Sequence, residues 1–433
     1  MRLRAVLLWA ALLGAAHSET LPAADFALDL EELKELSPRP GTVIGAANLA
    51  RYAEFLDRDF STFIDRGWAT VTVGEPLSFE PHPAYISATA RHRGQVTLGA
   101  QPGALMGYVQ GRPFAGELAR SDAQAGRKAA WNMRYAYLGD SGKLAEMFWQ
   151  MRAWKSQAVD AEMQFEARSI RFRYRHVLTP MPAIEPNPQD AWAAFYLRGV
   201  DAGSYTGTEA LIFGNRDESQ PLNGWVYLPP LARTQSLAAF AATDSMFGSD
   251  LLPTDFLSYS GRLVDMQWQY LGTTYMLLPM YRHDLLEPST RKARKFDYWH
   301  VAFGGHAGCF PKVSWQLRPT IVLAGTASDA AAVVTRRVFY LDAQTYLPLL
   351  WKIYTTDDVL WKLVINAQAH PNSHIAENKD SGAPIATAFA TIDLVAEHCT
   401  TLQLLTVVNA ADVTPADFDS NNLQHGGGSF RHR

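Results

Sequence analysis

Apolar and polar positions divide the chain into a short helical opening and a long strand-rich body. Over 26–36 acidic and apolar residues alternate at helical spacing, and Pro38, Pro40 and Gly41 end the pattern. Behind a cap at Asn48, residues Leu49, Ala53, Leu56, Phe60 and Phe63 or Ile64 recur three and four apart, which predicts a helix over 49–64. From Trp68 the period changes. Strands are predicted over 69–73, 85–90, 95–98 and 104–109, and a helix anchored by Trp131 over 123–132. A meander of strand-like runs follows at 147–151, 163–165, 170–177, 210–213, 224–228, 261–271, 275–278, 312–317, 321–324, 333–341, 347–355 and 360–367. The stretch 192–198 fits either a short helix or a strand. So many strands without long helices between them argue against a doubly wound nucleotide fold, and no fixed repeat marks propeller blades.

The first residues carry a different pattern. Arg2 and Arg4 precede a small or apolar run over 5–16, and Ala16 and Ser18 stand at the small-residue positions of a processing site. The expected organisation is a signal peptide over 1–18, a helical segment over 19–66, a β-sheet domain with helical lid elements over 67–420, and a flexible tail over 421–433. The expected location is extracytoplasmic. The fold class expected is mainly β with accessory helices, an α+β arrangement.

Composition sharpens this in three respects. Trp, Tyr and Phe number 12, 17 and 21, ample for sheet faces or a wide apolar pocket. With 39 basic and 43 acidic residues the net charge is −4, so no general electrostatic drive toward nucleic acid exists. Arg171, Arg173 and Arg175 alternate with Phe172 and Tyr174, which predicts a half-buried strand with one charged face. Solvent, an anionic headgroup or a sugar acid suits that face better than nucleic acid does. Cys309 and Cys399 are the two cysteines; an oxidising compartment permits one disulfide, and their presence alone leaves open whether they meet.

Candidate chemistry is sparse. No nucleophile elbow, zinc-protease helix or phosphate loop occurs. His300 and His306 flank Phe303-Gly304-Gly305 ahead of Cys309, a group whose spacing permits a metal without specifying one. Asp244, Asp250 and Asp255 offer carboxylates for hydrolysis, but turn formation around Met246-Phe247-Gly248 is the simpler role. The chain is therefore expected to be no enzyme, with no cofactor and no metal.

Several segments together resemble the DUF1329 family of bacterial proteins. They are Gly111-Arg112-Pro113-Phe114-Ala115-Gly116, Gly126-Arg127-Lys128-Ala129-Ala130-Trp131-Asn132, the run from Trp225 through Pro229-Pro230 to Arg233, Trp315-Gln316-Leu317-Arg318-Pro319, Arg336 through Asp342, and Leu360-Trp361-Lys362. Ala232 and Thr234 stand beside Arg233 where family members often carry a second basic residue. The family is related in fold to the LolA/LolB-like outer-membrane lipoprotein-sorting and lipoprotein-receptor proteins. The resemblance implies a large curved antiparallel sheet or half-barrel enclosing an apolar cavity. It also implies a periplasmic carrier or accessory protein, peripheral to the outer membrane, for a lipid or other long apolar molecule. An inner-membrane RND-type exporter and an outer-membrane protein would be its partners. A non-transporting envelope scaffold is the alternative, and a hydrolase a third. Candidate ligand-contacting residues are Trp225, Tyr227, Arg233, Trp268, Tyr270, Trp315 and Tyr340; sequence alone does not say which sheet face lines a cavity.

Overall fold

The computed structural model describes residues 36–100, 103–116, 118–236 and 243–425. The expected signal peptide, most of the helical pattern over 26–36, and residues 426–433 lie outside them.

Among the described residues thirteen longer strands carry the fold: β1 (Ser141–Ala153), β2 (Val159–Arg171), β3 (Ala191–Asp201), β4 (Glu209–Asn215), β5 (Asn223–Leu228), β6 (Arg233–Ser236), β7 (Met266–Leu278), β8 (Ser314–Ala327), β9 (Val334–Asp342), β10 (Pro348–Thr355), β11 (Leu360–Ala369), β12 (Ile385–Asp393) and β13 (His398–Val408). With Val43–Ile44, Val71–Val73 and Met280–Tyr281 they form one sixteen-stranded sheet. Its path runs from Val43–Ile44 and Val71–Val73 through β8 to β13 in sequence order, then β1 to β6 in order, with β7 also on β8. Among the longer strands every pairing is antiparallel. The molecule is thus a mixed α+β fold dominated by a large antiparallel sheet.

Among the described residues four α-helices accompany it: α1 (Leu49–Tyr52), α2 (Arg58–Asp65), α3 (Pro83–Arg91) and α4 (Ala125–Arg134). The helix expected over 49–64 is divided because Asp57, in extended conformation, caps a new start, its carboxylate accepting from the N–H groups of Asp59 and Phe60. The strand expected over 85–90 is helical. Pro83 sits in its first turn, and His82 Nδ1 accepts from the N–H of Ala84. The strand expected over 170–177 stops at Arg171. The Asp140 carboxylate accepts from the N–H groups of His176, Val177 and Leu178, holding that stretch in a loop.

Both faces of the sheet are covered. Along β11, Leu363, Ile365 and Ala367 point to one side and Val364 to the other, and all four are fully buried. On the first side Phe60, Phe63 and Ile64 of α2 pack with Trp315, Tyr340, Leu363 and Ile365. On the second lie Trp149, Phe165, Phe339, Trp351 and Phe389, covered by α4 and by residues 246–263. A third cluster backs β2, β3, β4 and β13. Central strands buried on both faces read as near-continuous apolar runs, the signature of a two-sided layer.

This overturns the expected half-barrel. The strand path is open, with Val43–Ile44 at one end and β6 at the other, and no pairing among the described residues joins the two. A half-barrel carrier needs one apolar face left uncovered; here the chain's own side chains fill both. The described residues form recesses open to solvent instead. One of about 340 Å³ is lined by Trp225, Thr234, Ser420 and Asn421. Another, of about 390 Å³, is lined in part by Arg91, Gln110, His176 and Met181. No helix among the described residues is long and apolar enough to cross a membrane.

Cys309 and Cys399 form a disulfide across a separation of 90 residues, tying the loop after Gly305 to β13. Closing so long a loop restricts the unfolded chain strongly. Replacing both cysteines by alanine is expected to lower stability by about 3–5 kcal/mol in urea unfolding; an unchanged midpoint would contradict a structural role.

A candidate ligand face beneath residues 246–263

The second face of the sheet is aromatic for a simple reason. Trp149 and Phe165 from β1 and β2, Phe339 and Trp351 from β9 and β10, and Phe389 from β12 occupy same-side positions of neighbouring strands. What covers them has little regular structure. Residues 246–263 contain only the turns Met246–Gly248 and Pro253–Asp255 and the start of Leu263–Asp265. Phe247 stacks on Phe165 at 4.9 Å and lies 5.8 Å from Trp149. Phe256 meets Trp149 at 6.0 Å and Phe389 at 6.4 Å, and Tyr259 packs edge-on to Phe339 at 5.8 Å. Leu251 and Leu252 are buried in the same cluster. The segment inserts apolar side chains at intervals.

Polar contacts fix its position. Asp255, 2% exposed, takes a two-pronged contact from Arg337 at 2.9 and 2.7 Å, and accepts from Trp351 Nε1 at 3.2 Å and Thr254 Oγ1 at 2.7 Å. Burial pushes the Arg337 guanidinium down, but the adjoining carboxylate outweighs it and holds the group above its ordinary value. Asp250 accepts from Thr400 Oγ1 at 2.7 Å, and its carboxylate lies 2.7 Å from His398 Nδ1. Asn366 Nδ2 donates to the carbonyl of Leu257, and the N–H of Leu263 donates to Glu218. Two of the three carboxylates considered for hydrolysis are thus engaged by different partners, Asp250 by β13 and Asp255 by β9 and β10. Two non-glycine residues of the segment, Phe247 and Leu257, hold φ of 53° and 60°. Each costs roughly 1–3 kcal/mol, so the conformation is imposed by its anchors.

The sequence-predicted residues fall into three places. Trp268 and Tyr270 of β7 belong to the aromatic face: Trp268 donates through Nε1 to the carbonyl of Leu263 and packs 5.6 Å from Tyr259, while Tyr270 bonds Thr273 through its hydroxyl. Trp315 and Tyr340 lie in the opposite cluster. Trp315 stacks on Phe60 at 4.8 Å, and the Tyr340 hydroxyl donates to Asp57. Trp225 and Tyr227 sit near the far edge, with Trp225 beside the smaller recess, and Arg233 is exposed on edge strand β6. Only the first pair lies with residues 246–263.

Other readings resolve locally. Arg171 donates to the carbonyl of Ala136, and Arg175 to those of Arg171, Leu178 and Pro180, so these cations brace a loop and form no open charged face. Cys309 is consumed by its disulfide, His300 bonds Glu146 at 3.0 Å and His306 stacks on Trp68, which dissolves the loop group weighed as a metal site.

The DUF1329 family, described as a protein of unknown function, matches residues 43–424. The chain belongs to the DUF1329 family. None of the curated proteins matches it in sequence. Among solved structures this DUF1329 chain is similar to a family member from Desulfovibrio piger, at 14% identity and TM-score 0.47, covering 70% of this chain and 98% of that one. It is similar to a putative outer membrane lipoprotein-sorting protein domain from Vibrio parahaemolyticus, at 15% identity and TM-score 0.46, covering 70% and 100%. A LolA superfamily protein from Nitrosomonas europaea shares 12% identity at TM-score 0.37, covering 69% and 98%.

Two outcomes follow from the anchors. Arg337→Leu alone strands a buried carboxylate and is expected to cost about 3–5 kcal/mol, whereas the double variant with Asp255→Leu recovers most of it; additive losses in the cycle would contradict a coupled pair. Hydrogen bonding to Asp250 raises the His398 pKa against a lowering by burial, with Asp160 also nearby. A raised histidine pKa means this contact is fully present below about pH 6.5 and is lost as pH rises through the folded value. Proteolysis within residues 246–263 should therefore quicken as pH rises above about 6.5, relative to an unstructured peptide, and His398→Gln should flatten the profile. A pH-independent rate in the wild type would contradict it.

Proposed function

We propose that this chain is a non-enzymatic, extracytoplasmic carrier or accessory protein that holds a long apolar molecule against the aromatic face when residues 246–263 are displaced. The observation that carries the reading is the nature of the cover. Apolar rings inserted by an irregular, conformationally strained segment are anchored through discrete polar contacts, above all Asp255 with Arg337. Such contacts release together, because breaking one leaves buried charge that favours full separation. A guest replacing those rings would gain roughly 0.8 kcal/mol per buried methylene, before ordering costs. Of the residues singled out in the sequence, Trp268 and Tyr270 are proposed to line this face; Trp225, Tyr227, Arg233, Trp315 and Tyr340 are not. A disulfide supports an oxidising compartment, consistent with the signal-like residues 1–18. The proposal retains the RND-type exporter and outer-membrane protein as partners, which the family resemblance implies.

A second reading has its own support: both faces are filled by the chain's own side chains, as in a scaffold that carries no guest. One experiment separates them. The protein is purified gently from the periplasm, extracted with organic solvent, and the extract analysed by mass spectrometry beside an unrelated periplasmic protein. An apolar molecule recovered well above the control, and reduced roughly tenfold by Trp149→Ala, is expected of the carrier. Recovery equal to the control favours the scaffold.

A further inference from the structure

Residues 282–300 and 370–384 contribute Ala293, Phe296 and Ile375 to the third apolar cluster, beside Leu405 and Val407 of β13. Where the two segments meet, three imidazoles surround the buried ring of Tyr298. His283 stacks on it at 4.5 Å and 6°, His374 lies at 4.8 Å, and His300 meets it edge-on at 5.1 Å. The Tyr298 hydroxyl donates to the carbonyl of Leu404, and the N–H of His283 donates to Ser373 Oγ.

Hydrogen bonding fixes the protonation state of His374. Asn378 accepts from the N–H of Val408 through Oδ1, so its Nδ2 is a donor, reaching the carbonyl of Thr406 at 2.7 Å and His374 Nδ1 at 2.8 Å. Nδ1 is therefore the acceptor of a neutral ring, and Nε2, which carries the proton, is buried without a partner. A second proton would set N–H against N–H at Nδ1, and Asn378 cannot turn over without losing both backbone bonds. His283 donates through Nε2 to the carbonyl of Trp299 at 3.0 Å, and its Nδ1 lies 3.0 Å from the Tyr281 hydroxyl.

The charges nearby do not compensate a cation at these two rings. Glu146 of β1 pairs with His300 at 3.0 Å and offsets a charge there instead. Arg291, held by Glu162 of β2, and the pair of Arg282 with Asp284 belong to the first segment. His370 and the exposed Glu377 and Lys379 belong to the second, Tyr281 bonds Thr387 of β12, and β13 meets the cluster through backbone groups. No carboxylate of the described residues bonds His283 or His374. Burial pushes the His283 imidazole down to about 4 and that of His374 well below its usual value, with His300 adding to both.

We infer that this cluster is an acid-released latch, in which neutral His283 and His374 hold residues 282–300 and 370–384 on the sheet and protonation frees them. Acidification then bares the apolar residues beneath. A histidine kept neutral in the closed state contributes fully above its unfolded pKa of about 6.5, and the contribution is lost as pH falls below it. This dependence is opposite in sign to that of the His398 contact.

Hydrogen exchange of the whole chain, read by peptide mass spectrometry with labelling times corrected for intrinsic rates, is compared at about pH 7.5 and about pH 5. Opening of peptides within 282–300 and 370–384 is expected to rise about 30-fold for each histidine kept neutral, while β10 and β11 stay unchanged. His374→Gln should remove about 30-fold of that rise. Equal protection at both pH values, a rise shared by β10 and β11, or an unaltered rise in His374→Gln overturns the inference. Should His374→Gln already loosen the segments at the higher pH, the ring signals of the wild-type histidines in NMR decide. Rings of His283 and His374 that stay neutral until the segments open support the latch; protonation near the ordinary histidine value with both segments still protected overturns it.

Discussion

The structure depends on covering the second face of its sheet, and that cover depends on the buried contact between Asp255 and Arg337. Rings from five strands create an apolar surface too large to leave in water. Regular elements cover it only in part, through α4. The remainder falls to residues 246–263, whose backbone groups find partners on the sheet and on Glu218. Burying an ion pair there contributes little net stability, because desolvation offsets attraction. What it contributes is register: it selects one placement of Phe247, Phe256 and Tyr259 among many a greasy segment could adopt.

A face closed in this way can act in two ways, and the energetic difference between them is small. If the anchors hold under all conditions, the aromatic layer is an ordinary core and the molecule presents only its surface to partners. If they release, the same layer becomes the seat for a guest, and the cover is a substitute that keeps it dry in the absence of one. Left-handed backbone at Phe247 and Leu257 and the partly exposed histidine at one anchor make this segment less secure than the buried central strands it covers.

Most of the sheet was legible because short runs rich in β-branched and aromatic residues, such as 333–341 and 347–355, coincide with β9 and β10. The helix over 123–132 was legible from its apolar spacing and Trp131. The failures have local causes. Capping at His82 and Pro83 turned an apparent strand into a helix, and Asp140 captured the backbone after Arg171. Curvature was carried over from a resemblance and was not encoded in any residue pattern, since central strands with apolar residues on both faces signal a covered sheet. The aromatic face could have been sought in the alternation of Met147, Trp149 and Met151 and of Met163 and Phe165. Its cover could not, because Met246-Phe247-Gly248 reads as a turn and nothing local pairs Asp255 with Arg337, 82 residues away.

Native-state hydrogen exchange resolved along the chain tests the central claim most directly. The account predicts that amides of residues 246–263 exchange through a local opening whose free energy lies well below that of β10 and β11, whose amides wait for global unfolding. If the segment exchanges only with those strands, it is part of the permanent core and no displaceable cover exists.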